Sequence, residues 1–212
     1  MTLLYFARHG ETDDNARSVF QGQTGKGLNG RGRAQARRLA ERMHKARVTS
    51  IFASDLERAV ETARLVSVAC GGVEPTLDRE LREVDVGTWS GKSHEEIAEL
   101  YPDEWAAWSA GLDLRRGGGE TYAELAERVE RAVLRIAASG AHDPVLVVSH
   151  GGAIKSYVAR ILGVGPEGLR ALAGVGNAGL TIIERDSQGR VRLHAWNDTA
   201  HLEGLLVEEQ TD

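Results

Sequence analysis

The stretch Pro144-Val145-Leu146-Val147-Val148-Ser149-His150-Gly151-Gly152 decides the architecture. Its apolar, β-branched run carries no charge and does not alternate with polar residues. That is the pattern of a strand covered on both faces, as in the middle of a parallel sheet. It ends in a histidine and two glycines, where the chain can turn sharply. A second segment repeats the arrangement: Leu3-Leu4-Tyr5-Phe6 runs into Ala7-Arg8-His9-Gly10-Glu11-Thr12. Each strand thus delivers a His followed by Gly, and parallel neighbours align those ends along the sheet edge where α/β proteins bind ligands. His9 beside Arg8 suits phosphate: the guanidinium offers a fixed fork of donors to phosphoryl oxygens, and a neutral imidazole can act as nucleophile.

Outward from these two strands the chain alternates strand and helix patterns, as parallel βαβ units require. The polar stretch 12–29, with Gly22, Gly25 and Gly27 leading to Gly30, reads as a loop over the pocket, and segment 22–30 is a candidate for ordering on ligand binding. A helix follows over about 31–46, with Ala34, Leu39, Ala40 and Met43 on its apolar face. Ser50-Ile51-Phe52-Ala53-Ser54 is a second strand, and Asp55 is placed to N-cap the helix whose first turn holds Arg58. There Arg58 can reach an anion that the helix N-terminus also attracts. A short strand over about 74–77 precedes a looser stretch of short helices carrying Trp89, Trp105 and Trp108. This insertion, about 84–120, reads as a lid, with Trp105 and Trp108 as satellite core.

Arg115-Arg116-Gly117-Gly118-Gly119 is a basic loop, either solvated or holding an anionic substrate tail, and Thr121 with Glu124 forms a capping-box pattern at the next helix. A helix over 153–162 and a hairpin, 180–185 and 190–196 around Asp186-Ser187-Gln188-Gly189, complete the chain. The pattern predicts one domain over 1–212: a three-layer α/β/α sandwich on a mostly parallel sheet of about six strands, with an antiparallel C-terminal strand.

The ordered blocks resemble the histidine phosphatase superfamily, in its phosphoglycerate mutase-like branch. Arg8-His9-Gly10-Glu11-Thr12 resembles the family signature. Further blocks are Gln21-Gly22 with Gly32-Arg33-Ala34-Gln35-Ala36, Ser54-Asp55-Leu56-Glu57-Arg58-Ala59, Leu81-Arg82-Glu83 with Gly87-Thr88-Trp89-Ser90-Gly91, Gly119-Glu120-Thr121, and Ser149-His150-Gly151-Gly152. The resemblance implies that His9 becomes a phosphohistidine, that Arg8, Arg58 and His150 surround the phosphoryl oxygens, and that Glu83 is the general acid and base. Thr12, Asn15, Gln21 and the backbone of Gly151 are implied phosphate contacts. Three cationic or donor side chains can offset a phosphate dianion, so neither a metal nor another cofactor is expected.

Glu83 is followed by Val84-Asp85-Val86-Gly87 rather than the mutase-like Arg-His-Tyr-Gly, and the lid is compact. Hydrolysis of small phosphomonoesters, sugar phosphates or phosphoglycerate-type metabolites, is therefore favoured over a 2,3-bisphosphoglycerate-dependent mutase, and both over an idle interaction protein of the same fold. Gly174-Val175-Gly176-Asn177-Ala178 with Trp196-Asn197 is similar to a block of glucosyl-3-phosphoglycerate phosphatases, or is a structural corner.

Composition agrees with a globular enzyme: 212 residues, 42% hydrophobic, net charge -5 and pI near 5.8. That acidic balance argues against nucleic-acid binding. His44, His94, His142, His194 and His201 form no metal-ligand spacing, and the lone Cys70 excludes an intrachain disulfide. With no apolar run of about 18 residues and no leader-like start, the sequence reads as cytoplasmic with no membrane partner. A homodimer, common among relatives, stays open.

Overall fold

A computed structural model describes residues 1–141, 143–186 and 188–205, with the backbone alone at 166 and 167. His142 and the turn residue Ser187 lie outside the described residues. Six strands form one sheet: β1 (Thr2–Arg8), β2 (Ser50–Ala53), β3 (Thr76–Leu77), β4 (Val145–Ser149), β5 (Leu180–Arg185) and β6 (Val191–Asp198). Their order is β3-β2-β4-β1-β5-β6. The first four are mutually parallel, whereas β5 runs antiparallel to β1 and β6 antiparallel to β5. The expected C-terminal hairpin is present, and the third strand is shorter than expected.

Alternation along the central strands builds the two cores. Val145 and Val147 of β4, with Leu4 and Phe6 of β1, pack under α6 (Tyr122–Ala138) and α7 (Gly151–Ile161) through Leu125, Val129, Val133, Ile154 and Tyr157. Leu146 and Val148, with Ala7, face α2 (Gly30–Lys45) and α3 (Glu57–Ala69) through Leu39, Met43, Ala59 and Val66. Every residue of β4 is buried, as its uncharged run implies. Fully burying each such side chain stabilises the fold by roughly 1.5–3 kcal/mol before chain entropy is charged against it.

The same packing locates the crevice. After β1 the chain turns onto the α2 face and heads for β2; after β4 it turns onto the opposite α7 face and heads for β5. The loops leaving the two central strands therefore diverge, and the space between them is the switch point where such sheets bind ligands. Two short helices, α4 (His94–Leu100) and α5 (Pro102–Ala110), lie in the inserted segment, and α1 (Asp13–Ala16) is a single turn after the first strand. Trp89 is fully buried and Trp105 and Trp108 pack on it with Phe20, the Trp105 and Trp108 rings 4.9 Å apart. Among the described residues no helix is long and apolar enough to cross a membrane.

Candidate active site

The pairing register brings the two histidines together. Arg8 lies opposite Ser149 in the β1–β4 ladder, so His9 and His150 follow as neighbours, their ring centroids 5.1 Å apart. The approach of α2 to this corner is backbone on backbone: a Cβ on Gly10 would collide with the Gly32 carbonyl, and one on Gly32 with the Glu11 carbonyl. Only glycine at both positions admits that contact.

The hydrogen bonds of His9 assign its tautomer. Its Nδ1 lies 2.7 Å from the Gly10 carbonyl, which can only accept, so Nδ1 carries the proton. Its Nε2 is then the lone-pair nitrogen, accepting from Nε of Arg58 at 3.2 Å. Burial first, then the charges of Arg58 and Arg8, hold the imidazole well below its ordinary 6.5, so it stays neutral. The fully buried His150 is held down by the same causes, burial first; its Nε2 lies 2.8 Å from Ser54 Oγ and its Nδ1 has no partner among the described residues.

Arg58, in the first turn of α3 as its sequence position implied, is 2% exposed and donates through Nη1 to Thr24 O (2.6 Å) and through Nη2 to Gly22 O (2.7 Å). Burial lowers its guanidinium to about 10, still cationic at neutral pH. These two bonds, with Leu28 N donating to Glu61 at 2.8 Å, tie the 22–30 loop to α3. Arg8 donates through Nη1 to Val175 O at 2.7 Å, and its buried Nε has no partner among the described residues. Burial lowers Arg8 as well.

Glu83 crosses to the start of α7: Oε2 accepts from Gly152 N at 3.0 Å, and Oε1 from Ala153 N at 3.1 Å and from Val84 N at 2.8 Å. The helix N-terminus thereby fixes a carboxylate beside the cationic groups. Arg8, His9, Asn15, Gln21, Arg58, Glu83 and Gly151 all line one cavity of about 370 Å³. His150 lies buried behind it, against His9. Asn15 accepts through Oδ1 from Thr12 and Asn177, and its Nδ2 makes no bond to the described residues.

Two sequence expectations need correction. Thr12 is absent from the cavity wall; its hydroxyl accepts from Asn15 N at 3.2 Å and N-caps α1, so it shapes the loop from behind. Asp55 does not cap α3, whose N-cap is Leu56 with no side-chain bond. Its carboxylate instead receives Nε and Nη2 of Arg82, both at 2.6 Å, because that charge-assisted fork outcompetes a neutral N–H donor. The basic loop also splits: Arg115 is exposed and pairs with Glu124, while Arg116 is buried in the cavity wall.

Several contributors escaped the sequence reading. Ser54 meets His150, and Thr62 Oγ1 accepts from Gly10 N at 3.1 Å. Asn177 Nδ2 donates to His9 O at 3.1 Å, and Ala178 N donates to the Arg8 and His9 carbonyls. The block 174–178 is thus a structural corner that also touches the site. His94, Tyr122 and Lys155 line the cavity too. Ser54 at its strand end and the 174–178 block stood out in the sequence, but nothing along the chain marked their partners. Among the described residues no cluster of three His, Cys, Asp or Glu could hold a metal ion.

Two strand-borne histidines facing a buried and a half-buried arginine and a carboxyl group at a sheet switch point define a phosphoryl-handling α/β enzyme. The chain belongs to the histidine phosphatase superfamily (branch 1), which matches residues 4–199. It is 34% identical over 219 residues to the glucosyl-3-phosphoglycerate phosphatase of Mycolicibacterium vanbaalenii, covering 94% of this chain and 96% of that one. It is 33% identical over 208 residues to a metal-independent phosphoserine phosphatase of Arabidopsis thaliana, covering 97% and 85%. Among solved structures it resembles the mycobacterial glucosyl-3-phosphoglycerate phosphatase complexed with VO3, with TM-score 0.85, 34% identity and coverage of 93% and 99%.

Proposed function

We propose that the protein hydrolyses small phosphomonoesters of the sugar-phosphate or phosphoglycerate type through a phosphohistidine on His9. The observation that carries this reading is the unprotonated Nε2 of His9, buried and aimed at the cavity that Arg8, Arg58 and Glu83 line. In the first step, entered with Glu83 in its protonated form, the Nε2 lone pair bonds to phosphorus, the P–O ester bond breaks, and Glu83 gives its proton to the departing oxygen. In the second, Glu83 takes a proton from water, the hydroxide bonds to phosphorus, and the N–P bond breaks to release inorganic phosphate. Arg8, Arg58 and His150 hold the equatorial oxygens, with Asn15, Gln21 and the Gly151 backbone as further contacts. No step needs a metal ion.

The test combines two measurements. Rapid quench with ³²P-labelled substrate should trap an acid-labile, base-stable phosphoprotein that His9→Ala does not form, and turnover without it removes the covalent route. Incubation with 3-phosphoglycerate, with and without 2,3-bisphosphoglycerate, should release free phosphate in both cases; isomer exchange dependent on the bisphosphate would instead make the protein a mutase.

A further inference from the structure

Arg116 is 2% exposed and lines the cavity that holds His9, yet its Nε and Nη2 make no hydrogen bond among the described residues. No carboxylate of the described residues pairs with it. Its guanidinium stacks through its flat face on Tyr122, with Cζ 3.9 Å from the ring centroid. Stacking of that kind leaves the in-plane N–H groups unsatisfied, and a buried guanidinium without an acceptor is a costly arrangement.

The two orphaned atoms are the significant ones, because Nε and Nη2 share one edge of the guanidinium and form its side-on fork. The same pair grips a carboxylate twice elsewhere in this molecule. Arg82 uses it on Asp55, and Arg128 on Glu120 at 2.9 and 2.7 Å. Arg116 offers the same fork in the cavity wall, with no protein carboxylate to receive it.

Its position is built in. Gly117, at φ +54°, packs so closely on the 86–88 segment that a Cβ on it would strike Val86 O and Thr88 N and one on Gly87 would strike Gly117 O, and Gly117 N donates to Glu104 at 2.9 Å. Next to it, Glu120 N donates to Asp85 O at 2.8 Å while Asp85 N donates to Glu120 at 2.9 Å. The loop bearing Arg116 is thereby clamped to the segment that begins with Glu83, so the fork and the proposed acid are held in register.

We infer that Arg116 is a specificity-determining residue that receives a carboxylate of the substrate, selecting phosphomonoesters that carry a second, carboxylic acid group. The inference rests on the phosphatase reading for the placement of the phosphoryl group at His9. A single fork with a single positive charge matches a planar, singly charged carboxylate.

The experiment is calorimetric binding of 3-phosphoglycerate and of glycerol 3-phosphate, which differ in the carboxylate, to His9→Ala protein with and without Arg116→Gln. The parent should prefer 3-phosphoglycerate by at least about tenfold, and Arg116→Gln should erase most of that preference by weakening 3-phosphoglycerate far more than glycerol 3-phosphate. Equal weakening of both ligands, or an unchanged preference, overturns the inference. Arg116→Lys, which keeps the charge and stem without the fork, serves if the Gln variant does not fold, and should lose most of the preference too. In His9-intact enzyme the selectivity should reappear as a KM rather than a kcat effect. Because binding is read without turnover, a failed preference indicts Arg116 alone, whereas absence of p-nitrophenyl phosphate hydrolysis by wild-type protein indicts the phosphatase reading.

Discussion

Arg58 Nε donates to His9 Nε2 at 3.2 Å, so the nitrogen proposed to attack phosphorus is held by a guanidinium proposed to grip the phosphoryl group. Arg58 is itself pinned by the Gly22 and Thr24 carbonyls. Substrate entry must exchange one hydrogen bond on His9 for contact with phosphorus while Arg58 stays in place. Arg58→Lys keeps a charge but cannot make the three bonds at once. It should lower kcat/KM by on the order of 10²–10³ and raise amide exchange in the 21–25 loop; a loss under about threefold would show that any cation suffices.

Both site histidines are held well below 6.5, chiefly by burial. As pH falls through 6.5 the unfolded chain takes up protons that the native state refuses, so stability falls between 6.5 and the lower folded values, at up to about 1.4 kcal/mol per pH unit for each histidine. Thermal unfolding should therefore show a lower Tm at pH 5.5 than at 7.5, with a shallower slope in His150→Asn. In NMR, the His9 ring should keep its Nδ1–H tautomer at pH 6; a ring titrating near 6.5 contradicts this. The acid limb of kcat/KM belonging to His9 should accordingly lie below 6.5.

Glu83→Gln preserves the size of a side chain held by Gly152 and Ala153 N–H groups but removes its proton exchange. With p-nitrophenyl phosphate, whose leaving group needs no acid, the variant should release one rapid equivalent of p-nitrophenol and then turn over slowly. With an alkyl phosphate the first step itself should slow, by on the order of 10²–10⁴. Equal slowing of both substrates without a burst would assign Glu83 a different role.

Gly32→Ala tests the backbone contact behind the nucleophile. The added Cβ would collide with the Glu11 carbonyl and push α2 off the 9–12 loop. Overpacking of this kind costs about 1–3 kcal/mol, measurable as a lower urea midpoint, and it should depress kcat as well. Gly30→Ala, two residues away with open space around its Cβ position, should leave both nearly as they are.

Much of this site was legible along the chain. The apolar runs 3–6 and 145–148 and the His-Gly pairs that end them are local signals, and α2, α3 and α6 follow from apolar spacing within each helix. The Thr121–Glu124 box was readable because its partners are three residues apart. Asp55 was misjudged for the same reason in reverse. Local rules rank the nearest backbone donor, whereas Arg82, 27 residues on, supplied the actual partner.

Residue types and local periodicity settled which groups are available: two histidines and an arginine at strand ends, a second arginine in a first helical turn, and a carboxylate before a glycine-rich segment. Those depend on neighbours within a few residues, where spacing alone determines geometry. Tertiary structure decided the rest. Placing β4 beside β1 made His9 and His150 neighbours, and folding Val175 and Asn177, 167 and 168 residues from their partners, onto Arg8 and His9 buttressed them. Burial kept both imidazoles neutral, and packing against the 85–88 backbone turned Arg116 from a loop charge into an unpaired fork in the cavity wall. Protonation and partnering depend on what surrounds a group in three dimensions, and contacts that span most of the chain leave no periodic trace along it.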